Sequence, residues 1–247
     1  MNIFNEILEY PEKCENGMRL DKKVIYEQAQ LKTRDKEIFT KNIEKIIWSY
    51  NLKPEYLNIS SYHDKTREYS EVEIFDIYLR KDKKLDRIAD IMLRAIPYPM
   101  LLVFYLNNSI KIYVSHIREH GSDSSKITLE KKIHTEWINL DKQTEIEKHF
   151  FEELKIENIS GINIYEFYDD IVNKIIKFNA SKIKGTQLKQ DSNETKEIME
   201  KIEKLEKEIF KLEKEISQEK NMGQIVILNT KRHDLNQKRK ELLNKLK

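Results

Sequence analysis

Only one cysteine, Cys14, stands in the 247 residues. An intrachain disulfide is thereby excluded, and a reducing, cytoplasmic setting is the expectation. Cys14 also has no neighbouring base in the sequence to activate it as a nucleophile. Five glycines and four prolines are few for this length. The chain has no phosphate-binding loop, no glycine-rich dinucleotide turn and no Gly-x-Ser-x-Gly elbow. The longest apolar run, 96–106, is far shorter than a membrane span and is interrupted by two prolines. The first ten residues lack a cationic segment followed by an apolar one, so neither a signal peptide nor a membrane partner is expected.

Charge is what the chain has in quantity. Charged residues make up 36% and the net balance is +2. The excess is uneven: residues 181–247 hold 17 basic and 12 acidic side chains, while the preceding 180 hold 28 and 31. That contrast predicts a compact α+β body over 1–178, a linker over 179–193 and a charged helical arm over 194–247.

The body is organised around the stretch 70–117. Phe75, Ile77 and Leu79 alternate with Val72, Ile74, Asp76 and Tyr78, which is the period of a half-buried strand. Leu85, Ile88, Ile91, Met92 and Ala95 fall on one helical stripe, and Pro97 ends that helix. The run 97–106 reads as a strand covered on both faces. Asn107-Asn108 then turns the chain tightly into the strand pattern of 109–117. Upstream, Phe39, Ile43, Ile46, Ile47 and Tyr50 predict one helix over 33–50, with Trp48 as a core anchor. Residues 56–60 read as a short strand, 63–68 and 118–125 as exposed loops, and 126–140 as a strand. Helices are predicted over 143–154 and 164–178.

The arm carries the plainest periodicity. Ile198, Ile202, Leu205, Ile209, Leu212 and Ile216 recur at alternating spacings of four and three, a heptad seam that needs a partner helix. They are the candidate partner-binding residues. Counting on by sevens lands on Gly223 and Thr230, so the register breaks. Residues 194–220 carry 7 basic and 9 acidic side chains and 224–247 carry 7 and 2. That complementarity favours an antiparallel hairpin turning within 219–223 over one continuous helix.

Three constellations could carry chemistry. Glu71, Glu73 and Asp76 on one strand invite a two-metal nuclease reading, in which carboxylates hold Mg²⁺. Strict alternation, however, sets Glu71 and Glu73 opposite Asp76, and the strand has no Asp/Glu-x-Lys triplet. The plain alternative is edge charges on a half-exposed strand. His116 and His120, with Glu119 between, lack a third convergent ligand, and no metal or cofactor is expected. Lys231, Arg232, Lys238, Arg239 and Lys240 could contact DNA phosphates, or simply pair with the acidic helix before them.

The order of segments resembles the bacterial domain-of-unknown-function family four-three-nine-one. The matching pieces are FTKNIEKIIWSYNLKPEYLNI (39–59), EVEIFDIYLRK (71–81), IADIMLRAIPYPMLLVFYL (88–106), TEW (135–137), GINIYEFYDDI (161–171) and EKNMGQIVILN (219–229). The resemblance implies an accessory protein whose gene accompanies DNA methyltransferases and helicase-type restriction subunits in defence loci. The resulting expectation is a non-catalytic assembly subunit of an anti-phage DNA modification or restriction complex. Its partners would be protein subunits, among them a methyltransferase and a helicase, or a second copy, with DNA contacted indirectly. The alternatives are a Mg²⁺-dependent nuclease centred on Glu73 and Asp76, or a DNA-binding adaptor using the basic last helix.

Overall fold

A computed structural model describes residues 3–120, 123–189 and 192–246. In chain order the elements are α1 (Ile3–Glu6), β1 (Glu15–Leu20), α2 (Lys22–Gln28), α3 (Thr33–Asn42), β2 (Ile43–Leu52), α4 (Pro54–Leu57), β3 (Tyr62–His63), β4 (Glu68–Tyr69), β5 (Val72–Leu79), α5 (Leu85–Ala95), β6 (Met100–Leu106) and β7 (Ser109–Ser115). There follow β8 (Ile117–His120), β9 (Asp123–Leu129), β10 (Ile133–His134), β11 (Ile138–Asn139), α6 (Glu145–Glu153), α7 (Ile164–Lys184), α8 (Ser192–Gln218) and α9 (Met222–Lys245). The fold is a mixed sheet with flanking helices, followed by a helical hairpin. The chain divides into two compact units, Met1–Ile175 and Ile176–Lys247.

A seven-stranded sheet runs in the order β1-β2-β5-β6-β7-β10, with β11 also on β7. Only β5 and β6 pair in parallel, because α5 carries the chain across between them. The turn from β6 into β7 is made at Asn107, whose φ of 53° suits a residue that tolerates the left-handed region. Phe75, Ile77 and Leu79 of β5 face one core with Leu102 and Phe104 of β6, and Ile25, Phe39, Leu85, Ile88 and Met92 from α2, α3 and α5 cover them. On the other face Tyr168 of α7 ties the strands together. Its hydroxyl lies 2.9 Å from the Met100 carbonyl and 3.1 Å from the Ser115 carbonyl, either of which can take its one proton, and accepts from the Ser115 N–H at 3.2 Å. Burying each aliphatic side chain of these layers contributes about 1.5–3 kcal/mol.

Both faces of β5 are therefore covered, which corrects the half-exposed strand expected from its alternation. Seven of its eight residues are buried, Glu73 and Asp76 among them. A second correction concerns 33–50. The helix stops at Asn42 and Ile43–Leu52 is a strand, β2, in register with β5 from Ile43↔Leu79 to Leu52↔Val72. Ile43, Ile46 and Ile47 satisfy a helical stripe and a covered strand equally well. β-Branched side chains stiffen at χ1 and pack well on a pleated surface, and the long partner strand decides the outcome.

Smaller differences have local causes. Residues 54–57 form a helical turn rather than a strand, with Pro54 in its first turn and Asn58 ending it at φ 56°. His63 and Glu68 pair across a tight turn, which Asp64 organises by accepting from the backbone N–H groups of Thr66 (2.6 Å) and Arg67 (2.8 Å). Ile117–His120 and Asp123–Leu129 pair as a hairpin where an exposed loop was expected, and Gly121 lies outside the described residues. The expected strand over 126–140 is instead the end of β9 and the two short pieces β10 and β11. Helix α7 runs six residues beyond Phe178 to Lys184, so the first part of the expected linker is helical. Gly185, at φ 78°, closes it with its N–H on the Ser181 carbonyl at 2.8 Å.

Candidate functional site

The two acids of the nuclease reading stand on opposite faces of β5, each held by its own protein donor. Trp48 Nε1 donates to Glu73 Oε2, and the Trp48 ring stacks on Phe75 with centroids 6.2 Å apart. Trp48 is only partly buried, so its use is to cap this carboxyl as well as to pack. Glu71 joins the same side and takes a 3.0 Å hydrogen bond from Asn51 Nδ2. Burial and the neighbouring Glu71 charge outweigh the Trp48 hydrogen bond and push Glu73 up to about 8. Across the strand, Ser49 Oγ donates to Asp76 Oδ2 at 2.6 Å. Burial pushes Asp76 up to about 6, with the Ser49 and Tyr105 hydroxyls pulling the other way. Glu73 is 2% exposed and Asp76 1%. Their adjacent donors, Trp48 and Ser49, are neighbours on β2 and alternate faces for the same reason as the acids do.

A third buried cluster was missed in the sequence. His116 was considered there as a metal ligand beside His120 and Glu119, whose side chains lie outside the described residues. Its ring is in fact gripped from both sides: Nδ1 lies 3.0 Å from the Tyr69 hydroxyl and Nε2 lies 3.0 Å from Asp169 Oδ1. In the neutral tautomer with Nε2 donating to the carboxylate, Nδ1 accepts from Tyr69. Tyr69 in turn accepts from the Ile117 N–H at 3.1 Å. Tyr165 and Tyr168 line the ring with centroids 5.4 and 5.2 Å away, and Arg67 lies over Tyr165 while binding Glu130 at 2.6 Å. Residues 53 apart in the chain meet here, and no short motif could have signalled it. Among the described residues no group of three His, Cys, Asp or Glu side chains could hold a metal ion. Cys14 is a buried free thiol whose pKa burial raises, which suits a core position.

In the second unit the heptad seam is closed by the chain itself. Helices α8 and α9 are joined at Glu219–Asn221 and pack along one another. Asn221 opens α9 by accepting from the N–H groups of Gly223 (2.9 Å) and Gln224 (3.3 Å), a cap that makes the turn the natural reading of this stretch. Ile198, Ile202 and Ile209 are buried, and Leu205, Leu212 and Ile216 half-buried. Ile198 and Ile202 share a small core with Ala180, Leu188 and Leu246. The seam residues thus serve the hairpin, and what is left for another molecule is its outer surface. Phe210 (70% exposed), Met222 (73%), Val226 (62%) and Ile227 (49%) are the large apolar side chains there. Among the basic set, Arg239 is taken by Glu206 on α8 at 2.7 Å, while Arg232 is half-buried and Lys231, Lys238 and Lys240 are exposed.

Comparison with known proteins gives one positive finding. The family model described as Domain of unknown function (DUF4391) matches residues 8–242, so the chain belongs to that family. Neither a curated protein nor a solved structure matches the chain. No described helix is long and apolar enough to cross a membrane.

Proposed function

We propose that this member of the DUF4391 family is a non-catalytic assembly subunit that docks through its C-terminal helical hairpin. We further propose that the complex it enters is a cytoplasmic DNA modification or restriction-type anti-phage assembly, with methyltransferase and helicase subunits as partners. The defence setting rests on the resemblance of the segment order to a family associated with such loci. The docking role rests on one observation: a hairpin whose own seam is filled still presents Phe210, Met222 and Val226 to solvent. Exposed apolar side chains are ordinary singly, but Phe210 on α8 and Met222, Val226 and Ile227 at the start of α9 are four on one hairpin, which we read as a contact surface.

The buried acids support the same reading. Glu73 and Asp76 are enclosed on opposite faces of one strand, each occupied by a protein donor, whereas a metal-dependent hydrolase brings carboxylates together around a reachable ion. The pairing of Arg239 with Glu206 likewise gives part of the basic last helix an internal use.

Co-expression with methyltransferase and helicase subunits of the proposed kind of complex tests the proposal. The wild-type chain is expected to co-purify with them, and the double substitution Phe210→Glu, Val226→Glu to be lost from the complex. Retention of that variant at wild-type stoichiometry refutes the docking role.

A further inference from the structure

The body carries a cleft whose walls bear charges of both signs. It encloses about 220 Å³ between β4, the segment leading into β6, and the hairpin β8–β9. Clefts that take drug-sized ligands run to about 300–1,000 Å³, so this one suits a smaller molecule. Pro97, Ile117 and Ile127 give it apolar walls, and Tyr98 an aromatic one.

Its charged side chains fall into two groups. Arg67 and Glu68 are consecutive, and the alternation of an extended chain sends their side chains to opposite sides. Arg67 joins Arg118: Glu130 Oε1 lies 2.6 Å from Nη2 of the first and 3.1 Å from Nε of the second. One carboxylate thus holds two guanidinium groups side by side. Asp64, 3.8 Å from Arg67, sits in the turn before β4 and does not line the cleft. The Tyr165 ring backs Arg67, whose side chain is 22% exposed, and this fixes its place. Glu68 belongs with Tyr98 instead. Burial first, and then the charges of Glu71, Glu73 and Glu68, push the Tyr98 phenol above its ordinary value, which sets those carboxyl groups on its side.

We infer that this cleft binds a small zwitterion of amino-acid size, with its carboxylate on the Arg67–Arg118 pair and its ammonium between Glu68 and the Tyr98 ring. A guanidinium fork matches a carboxylate in two parallel hydrogen bonds, and an aromatic face attracts a cation. A plain anion would gain the arginines and meet Glu68; a plain cation would gain Glu68 and meet two guanidinium groups. An apolar guest would strip water from three charged side chains with nothing in return. A molecule carrying both signs answers both walls. The residues that hold it flank the His116 cluster: Glu68 and Ser70 stand either side of Tyr69, and Ile117 follows His116. The site lies in the body and is independent of the docking role of the hairpin.

Calorimetric titration of the full chain with each of the common amino acids tests this, with acetate and methylammonium as the two half-ligands. The expected result is a single site filled by at least one amino acid with a Kd of about 1 mM or tighter, and each half-ligand bound at least about tenfold more weakly. Arg118→Gln and Glu68→Gln alter exposed side chains, so the fold is retained, and each is expected to weaken binding about tenfold or more. Lys65→Gln, exposed and outside the cleft, is expected to leave the affinity unchanged. Circular dichroism is expected to report the same helix content in all three. Absence of binding by every amino acid overturns the inference. So does acetate or phosphate binding as tightly as the best amino acid, which makes the cleft a plain anion site. Full affinity in both Gln variants of the cleft overturns it too, because the ligand then sits elsewhere.

Discussion

Replacing Glu73 by Gln removes a charge that folding has to enclose. The carboxyl is 2% exposed, flanked by Glu71 and capped by Trp48 Nε1. Its pKa is raised from 4.5 to about 8 in the folded chain. The folded state therefore holds this proton between those values while the unfolded chain releases it. The contribution of Glu73 to stability is then greatest below about pH 4.5, falls as pH rises through that window and levels off above about 8. Each pH unit of the window corresponds to about 1.4 kcal/mol, which gives a ceiling of roughly 5 kcal/mol at alkaline pH. Gln keeps a carbonyl oxygen for Trp48 Nε1 and has no proton to lose. Urea unfolding of wild type and Glu73→Gln at pH 5, 7 and 9 reads the difference directly. The variant is expected to match the wild type within about 1 kcal/mol at pH 5 and to exceed it by several at pH 9. Parallel pH profiles for the two proteins would refute the burial argument, because nothing then titrates at this position with folding.

Three further outcomes follow from the same contacts. Glu71→Gln removes the charge that helps keep Glu73 neutral, so the pH at which wild-type stability falls should move down, as read by the same titration. His116→Phe keeps a ring among Tyr69, Tyr165 and Tyr168 but drops both hydrogen bonds; denaturant unfolding should show a loss of about 1–3 kcal/mol. Ile202→Ala, at 1% exposure, should cost the hairpin about 2–4 kcal/mol. Hydrogen exchange should then quicken in α8 and α9 and stay unchanged in β5 and β6, since the two belong to different compact units.

Legibility in the sequence followed the distance over which a segment finds its partners. The unit β5–α5–β6–β7 was plain because each element's partner is the next one along. The hairpin was plain because an unbroken heptad demands a second helix and Asn221 with Gly223 marks where it turns. β2 was not: Ile43, Ile46, Ile47 and Tyr50 fit a helical stripe, and only the pairing of eight residues against β5 makes them a strand. The short pair β3–β4 and the hairpin β8–β9 failed for a related reason, since their few residues are polar and carry no alternation. Among the candidate site residues, the opposition of Glu73 and Asp76 was readable from alternation alone. Their burial was not, because it depends on layers supplied by distant helices. The seam residues were readable: Ile198, Ile202 and Ile209 are buried in the hairpin unit, as the expected antiparallel hairpin requires, while the exposed Phe210, Met222 and Val226 are residues that no seam count selects.

On the proposed defence role, plaque counts in a host carrying the genes of such a complex, with this chain exchanged for variants, weigh the proposal most directly. Phe210→Glu with Val226→Glu is predicted to abolish protection from phage, while Glu73→Gln with Asp76→Asn leaves protection at the wild-type level. Protection that survives the first pair and disappears with the second would contradict it, and would move the working part of the molecule from the hairpin to the carboxyls of β5.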